Sequence, residues 1–141
     1  MRVFFDTSVL VAAFLEDHEH HERSFRAFAG SDRKRACCAA HSLAEIYSTL
    51  TRMPGRIRLS GEQVLLLLES IRERLALIAL SGDEYYAAIG KAADAGVTGG
   101  TIYDAMIAQC ALKAKADTLY TWDTRHFEQF GPTIAKRLRM Q

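Results

Sequence analysis

The 141-residue chain is poor in everything that would staple or anchor it. Its three cysteines, Cys37, Cys38 and Cys110, are odd in number and follow no framework spacing. That excludes a disulfide scaffold and points to a reducing compartment. No apolar stretch comes near the roughly 20 residues that cross a bilayer, so no membrane partner is expected. A signal-peptide layout is missing too: Asp6 interrupts the first apolar run, and Glu16 and Asp17 follow. The expected location is cytoplasmic. Charge of neither sign prevails, the formal balance being +1. Such a sum excludes neither nucleic acid nor a protein partner, because the local distribution of charge decides. Repeats, linkers and low-complexity segments are absent, so one domain is expected over residues 1–141.

What is present is a globular composition, 49% hydrophobic and 25% charged, in a chain long enough for a proper core. Short apolar runs alternate with helical periodicity. Arg2 to Phe5 reads as a buried strand, followed by a helix through Val9, Leu10, Ala13 and Phe14. Asp17 is placed to cap a second helix from about His18 to Ala29, with Phe25 and Phe28 on its core face. Ala36 to Ala40 reads as a strand that turns Cys37 and Cys38 to opposite faces. His41-Ser42 opens a helix with Leu43, Ile46, Tyr47 and Leu50 inward, stopped by Pro54-Gly55. Ser60 and Gln63 form a capping box for a leucine-rich helix to about Leu75. Leu65 to Leu68 implies burial on two sides or a subunit contact. This helix and the first two are the surfaces expected to meet partners. A short strand at Ala76 to Ala79 precedes a helix with Tyr85, Tyr86, Ile89 and Ala93 inward, ended by Gly96. Then come a helix from about Ile102 to Lys115, a strand at Thr118 to Thr121, a brief helix with Phe127 and Phe130, and an edge strand in the tail after Thr133. The alternation predicts an α/β sandwich with a mainly parallel sheet.

Four acids are out of place in this pattern. Asp6 ends the first apolar run, and Glu45 sits in Ser42-Leu43-Ala44-Glu45-Ile46-Tyr47. Asp104 opens an otherwise apolar helix after Gly99-Gly100, and Asp123 follows Leu119-Tyr120-Thr121-Trp122. A bare buried carboxylate is too costly, so each must cap, pair or hold a cation. Asp6 fits a helix cap as well as a ligand, and Glu45 fits an exposed helix position as well as a site. An acid at a strand's carboxyl end is nevertheless where ligand sites form in open α/β sheets. We expect the four to meet in one pocket and hold a divalent metal. Oxygen donors without histidine or cysteine favour Mg²⁺ or Mn²⁺ over Zn²⁺. His18, His20 and His21 lack any supporting metal motif and read as a solvated helix end. The turn with Arg33, Lys34 and Arg35, and the cluster of Arg52, Arg56 and Arg58, are exposed loops that also suit phosphate contacts.

Four segments carry a family resemblance. They are Val3-Phe4-Phe5-Asp6-Thr7-Ser8-Val9-Leu10, Ser42-Leu43-Ala44-Glu45, Gly99 to Ala108 around Thr101-Ile102-Tyr103-Asp104, and Leu119 to Phe127 around Thr121-Trp122-Asp123. In this order and spacing the chain resembles a PIN domain, specifically the VapC-type toxin subunit of bacterial toxin–antitoxin pairs. The resemblance implies a three-layer α/β/α fold, an Mg²⁺- or Mn²⁺-dependent endoribonuclease, and a homodimer neutralised by a small antitoxin. It places Asp6, Glu45, Asp104 and Asp123 on the family's acidic quartet, with Asp6, Asp104 and Asp123 as metal ligands. Thr7, Ser8 and Thr121 fall on supporting hydroxyl positions. Asp123 occupies a position that varies within the family.

Three other readings compete. A phosphatase or a DNA-cleaving nuclease would use the same quartet. A receiver-like phosphoacceptor needs a lysine after the last strand, which Thr121-Trp122-Asp123 does not supply. A non-catalytic PIN-like binding module would tolerate loss of a quartet member, yet all four are present.

Overall fold

The computed structural model describes residues 1–139; Met140 and Gln141 lie outside the described residues. Five strands form one sheet in the order β3-β2-β1-β4-β5. They are β1 (Val3–Phe5), β2 (Ala36–Ala39), β3 (Ala76–Ile78), β4 (Thr118–Tyr120) and β5 (Leu138–Arg139). Every neighbouring pair runs parallel, with Phe4 beside Cys37 and Leu119. Parallel neighbours need long crossovers, and helices supply them. These are α1 (Thr7–Phe14), α2 (His21–Ala29), α3 (Ala40–Thr51), α4 (Gly61–Arg74), α5 (Gly82–Asp94), α6 (Thr101–Lys113), α7 (Thr124–Glu128) and α8 (Pro132–Ala135).

Alternation along β1 and β2 splits the core into two layers. Phe5 and Cys38 face α1 to α4, packing with Val9, Leu10, Phe28, Ile46, Leu50, Val64 and Ile71. Phe4, Cys37 and Leu119 face the other way, onto Ile107 and Ala111 of α6, Phe127 of α7 and Ile134 of α8. The result is the expected three-layer α/β/α sandwich. Burying each such Leu or Phe contributes about 1.5–3 kcal/mol. The small residues Ala108 and Ala111 let α6 lie close on the sheet.

Strand order gives the fold its functional geography. From β1 the chain steps outward to β2 and β3, then crosses back to β4 on β1's other side. The reversal between β1 and β4 is a topological switch point, where the carboxyl ends of adjacent strands open a crevice. Asp6 follows β1 and Thr121 follows β4 at that crevice.

Helix ends follow local chemistry. Ser60 and Gln63 form the expected capping box, and Ser81 with Glu84 forms a second. Gly96, at φ 79°, closes α5 by a Schellman motif, with Val97 N–H on the Ala92 carbonyl and Gly96 N–H on that of Ala93. The same motif ends α6, but Lys115 holds the left-handed position at φ 56°.

Several expectations are corrected. Asp17 caps nothing: it lies in a turn, and α2 starts only at His21 with His20 preceding it. Phe25 is exposed and stacks on His21, leaving Phe28 as the core aromatic of α2. Helix α3 begins at Ala40, which puts His41 and Ser42 inside it, and Tyr47 is exposed. The inward face of α5 is Ala88 and Ala92; Tyr85, Tyr86, Ile89 and Ala93 point outward. Helix α5 packs on α6, and only small side chains fit that approach. Leu65 and Leu66 are exposed, so α4 is not buried on two sides.

Candidate active site

The crevice holds all four predicted acids. A cleft of about 470 Å³ is lined by Asp6, Glu45, Asp104 and Asp123, together with Thr7, Ser8, His18, His20, Thr49 and Trp122. Asp6 forms the floor, with only 4% of its surface exposed. It precedes α1 but makes no side-chain cap hydrogen bond, which removes the capping reading. Instead its Oδ2 accepts from Ser8 Oγ at 2.8 Å and from Thr121 Oγ1 at 2.8 Å.

Those two hydroxyls explain why serine and threonine occupy these positions. A hydroxyl donates once and still accepts. Ser8 Oγ accepts the Trp122 backbone N–H at 3.1 Å, and Thr121 Oγ1 accepts that of Asp123 at 2.9 Å. Each therefore ties Asp6 to the chain leaving β4, across the switch point. Thr7 serves another acid: its Oγ1 donates to Glu45 Oε1 at 2.8 Å and lies 2.8 Å from Ser42 Oγ. Ser42 is fully buried, so this link fixes α3 against α1.

Burial pushes the Asp6 carboxyl up to about 6, against the pull of Ser8 and Thr121, and the nearby Asp104 and Asp123 raise it further. Asp104, on the first turn of α6, is also raised, first by burial and then by Asp123. His126 acts in the opposite sense, its Nδ1 lying 3.4 Å from Asp104 Oδ2. Asp123 precedes α7 at the exposed rim and makes no cap hydrogen bond. Asp6 and Asp104 are thus raised mainly by burial, with the neighbouring acids adding to it round one buried floor.

The donor set fits a hydrated hard cation. It is made of carboxylates, and Asp6 Oδ1 takes no hydrogen bond among the described residues, so it is left for the cleft. No group of three or more His, Cys, Asp or Glu side chains among the described residues forms a ready-made cage.

Sequence reasoning misses part of the wall. His18 and His20 look like a solvated helix end, but both line the cleft. The His20 ring stacks on Trp122 at 3.7 Å and 9°. His18 Nδ1 accepts the His20 backbone N–H at 3.0 Å, and His21 Nδ1 donates to the Ala12 carbonyl at 2.9 Å. Trp122 is held in turn by Nε1 donating to the buried Ser24 Oγ at 2.9 Å. Only the adjacency of Trp122 to Asp123 hints at this wall. His126 likewise escapes notice in the sequence, although it stands one turn along from Asp123 at the start of α7.

The basic clusters do not share one fate. Arg33, Lys34 and Arg35 precede β2, so in a parallel sheet they sit at the amino end, opposite the cleft. The structure does not bring them to the acids. Arg56 lies on the exposed turn Gly55–Ile57, and Arg58 Nε donates to the Met53 carbonyl. Arg52 alone of the six lines a groove that contains Glu45.

Fold and site together define an α/β/α protein with a polyacidic cleft at the sheet's switch point. Residues 3–131 match the PIN domain family model. The chain belongs to the PIN domain family. It is 37% identical over 136 residues to Ribonuclease VapC40 of Mycobacterium tuberculosis, covering 96% of this chain and 93% of that protein. Ribonuclease VapC27 of the same species is 33% identical over 120 residues, covering 85% and 83%. Among solved structures, Mycobacterium tuberculosis VapC20, described as a Sarcin-Ricin loop cleaving toxin, superposes with TM-score 0.71 at 17% identity, covering 88% of this chain and 92% of that one. DNA-bound VapBC from Salmonella typhimurium gives TM-score 0.68 at 22% identity, covering 99% and 98%. The structural likenesses establish the fold.

Proposed function

We propose that this protein is a metal-dependent endoribonuclease, the toxin of a toxin–antitoxin pair. The observation that carries the reading is the cleft itself: four carboxylates converge on the switch point, with Asp6 buried and locked by two hydroxyls. The similarity to two proteins named ribonuclease supports it. The Salmonella typhimurium neighbour is a DNA-bound VapBC, and that likeness supports an antitoxin partner for this chain as well. A homodimer is proposed on the family resemblance, with the exposed Leu65 and Leu66 of α4 as a contact surface.

Bound Mg²⁺ or Mn²⁺ would supply charge neutralisation and Lewis acidity for phosphodiester hydrolysis. Asp6, Asp104 and Asp123 would hold it, and Glu45, oriented by Thr7, would complete the acidic ring. Ser8 and Thr121 keep Asp6 in one rotamer, so that its free oxygen faces the cleft. Asp104 or Asp123 would take a proton from the attacking water as its oxygen bonds to phosphorus. The bond from phosphorus to the leaving ribose oxygen would then break, and that oxygen would take up a proton from solvent. His126 beside Asp104 helps keep that carboxylate charged.

The test is cleavage of total RNA, transfer RNA and short single strands by the purified, partner-free chain. Cleavage with Mg²⁺ or Mn²⁺ that EDTA abolishes is expected. Cleavage that persists in EDTA would contradict the metal assignment, and cleavage of DNA or a monoester instead would contradict the substrate.

A further inference from the structure

Helix α3 carries a second feature beside the acids. His41, Ala44, Glu45, Ser48, Thr49 and Arg52 line one groove of about 310 Å³. Their spacing is helical, so they form one face of α3. Glu45 and Thr49 also line the acidic cleft, which makes the groove a continuation of the cleft. Three features of the groove point to a ligand. Ala44, Ser48 and Thr49 are small and leave room above the helix. Just beyond the lining at one end, Tyr103 is 54% exposed, and its ring lies parallel to that of the lining residue His41, 9° apart with centroids at 5.7 Å. At the other end the Arg52 guanidinium is exposed and makes no ion pair among the described residues.

A cation and a braced aromatic face along one groove make up the recognition chemistry of a single-stranded nucleic acid: phosphate on the cation, base on the ring. A peptide would need apolar pockets, and Ala44, Ser48 and Thr49 offer none. From His41 to Arg52 the helix rises about 16 Å. That is the length of about five stacked nucleotides at about 3.4 Å each. We propose that the α3 groove carries the RNA strand past the acidic cleft, with a base stacked on Tyr103 and a backbone phosphate on Arg52. The proposal rests on the ribonuclease reading and assigns Tyr103 and Arg52 as substrate-positioning residues.

Binding and cleavage are measured separately. A short fluorescein-labelled single-stranded RNA of mixed sequence is titrated with wild type, Arg52→Gln, Tyr103→Ala and Tyr103→Phe in EDTA, by anisotropy, over a range of salt. Both changed residues are exposed, and circular dichroism checks folding. Tyr103→Ala is expected to weaken binding about tenfold, as loss of one stacked base implies, with Tyr103→Phe close to wild type. Arg52→Gln is expected to flatten the log–log salt dependence by about 0.7, the value for one single-strand phosphate contact. In metal-containing cleavage assays the same variants should raise KM more than they lower kcat. Unchanged affinity and salt slope in both variants would overturn the groove assignment, whether or not wild type cleaves. Wild type that binds no RNA would overturn it as well. Intact RNA affinity with lost neutralisation by the antitoxin would give the groove to a protein and overturn it too. Weakened RNA binding in a chain that cleaves nothing would support the groove while refuting the ribonuclease reading.

Discussion

Asp6→Asn should stabilise the metal-free protein at neutral pH, although Asp6 is the most buried acid of the site. Burial raises its carboxyl from 3.8 to about 6. A raised acid is a cost that appears as the proton leaves. Below about pH 4 both folded and unfolded chains are protonated and nothing is lost. Between about 4 and 6 the unfolded chain releases its proton while the folded chain keeps it, so stability falls as pH rises. Above about 6 the full difference is in force, about 3 kcal/mol at about 1.36 kcal/mol per pH unit. Asparagine keeps an acceptor for Ser8 and Thr121 and carries no charge. Urea unfolding in EDTA at neutral pH should therefore find Asp6→Asn about 1–3 kcal/mol more stable than wild type, with the advantage gone near pH 4. A variant less stable than wild type at neutral pH would show the carboxylate to be structural, and would refute the view that burying this charge costs the metal-free fold.

Three further outcomes follow from other parts of the molecule. Ser24→Ala strips Trp122 Nε1 of its acceptor inside the fold and should cost about 1–3 kcal/mol in urea unfolding, with a change in emission from the single tryptophan. Lys115→Gly relieves the left-handed position that ends α6 and should add about 0.5–1 kcal/mol, read as a rise of a few degrees in Tm. Burial pushes the thiols of Cys37, Cys38 and Cys110 up to about 11, 12 and 11. A thiol reagent at neutral pH should therefore label none of them until the chain unfolds.

Much of the fold can be read locally. Strands β1 to β3 are short apolar runs, and the Cys37–Cys38 pair even marks the two core layers. The expectations that fail depend on neighbours along no periodic pattern. Tyr85, Tyr86 and Ile89 look like a core face, yet α5 meets the alanine-rich α6, and only Ala88 and Ala92 fit there. Asp17 has the chemistry of a cap, but the turn at Glu16 to His20 carries the chain to the cleft before α2 begins. The acids are legible because a carboxylate inside an apolar run violates its surroundings. His18, His20 and Trp122 are not, because a polar loop residue violates nothing until the fold brings it against a partner. Arg33, Lys34 and Arg35 show the converse: a basic run suggests phosphate, but strand direction puts it at the wrong end of the sheet.

The central claim, that Asp6 and Asp104 belong to one cation site, is most directly tested by calorimetric titration of Mn²⁺ into wild type, Asp6→Asn and Asp104→Asn. Wild type should show a saturable site that is lost or weakened at least about tenfold in each variant, with folding intact. Equal Mn²⁺ binding by all three proteins would contradict the claim.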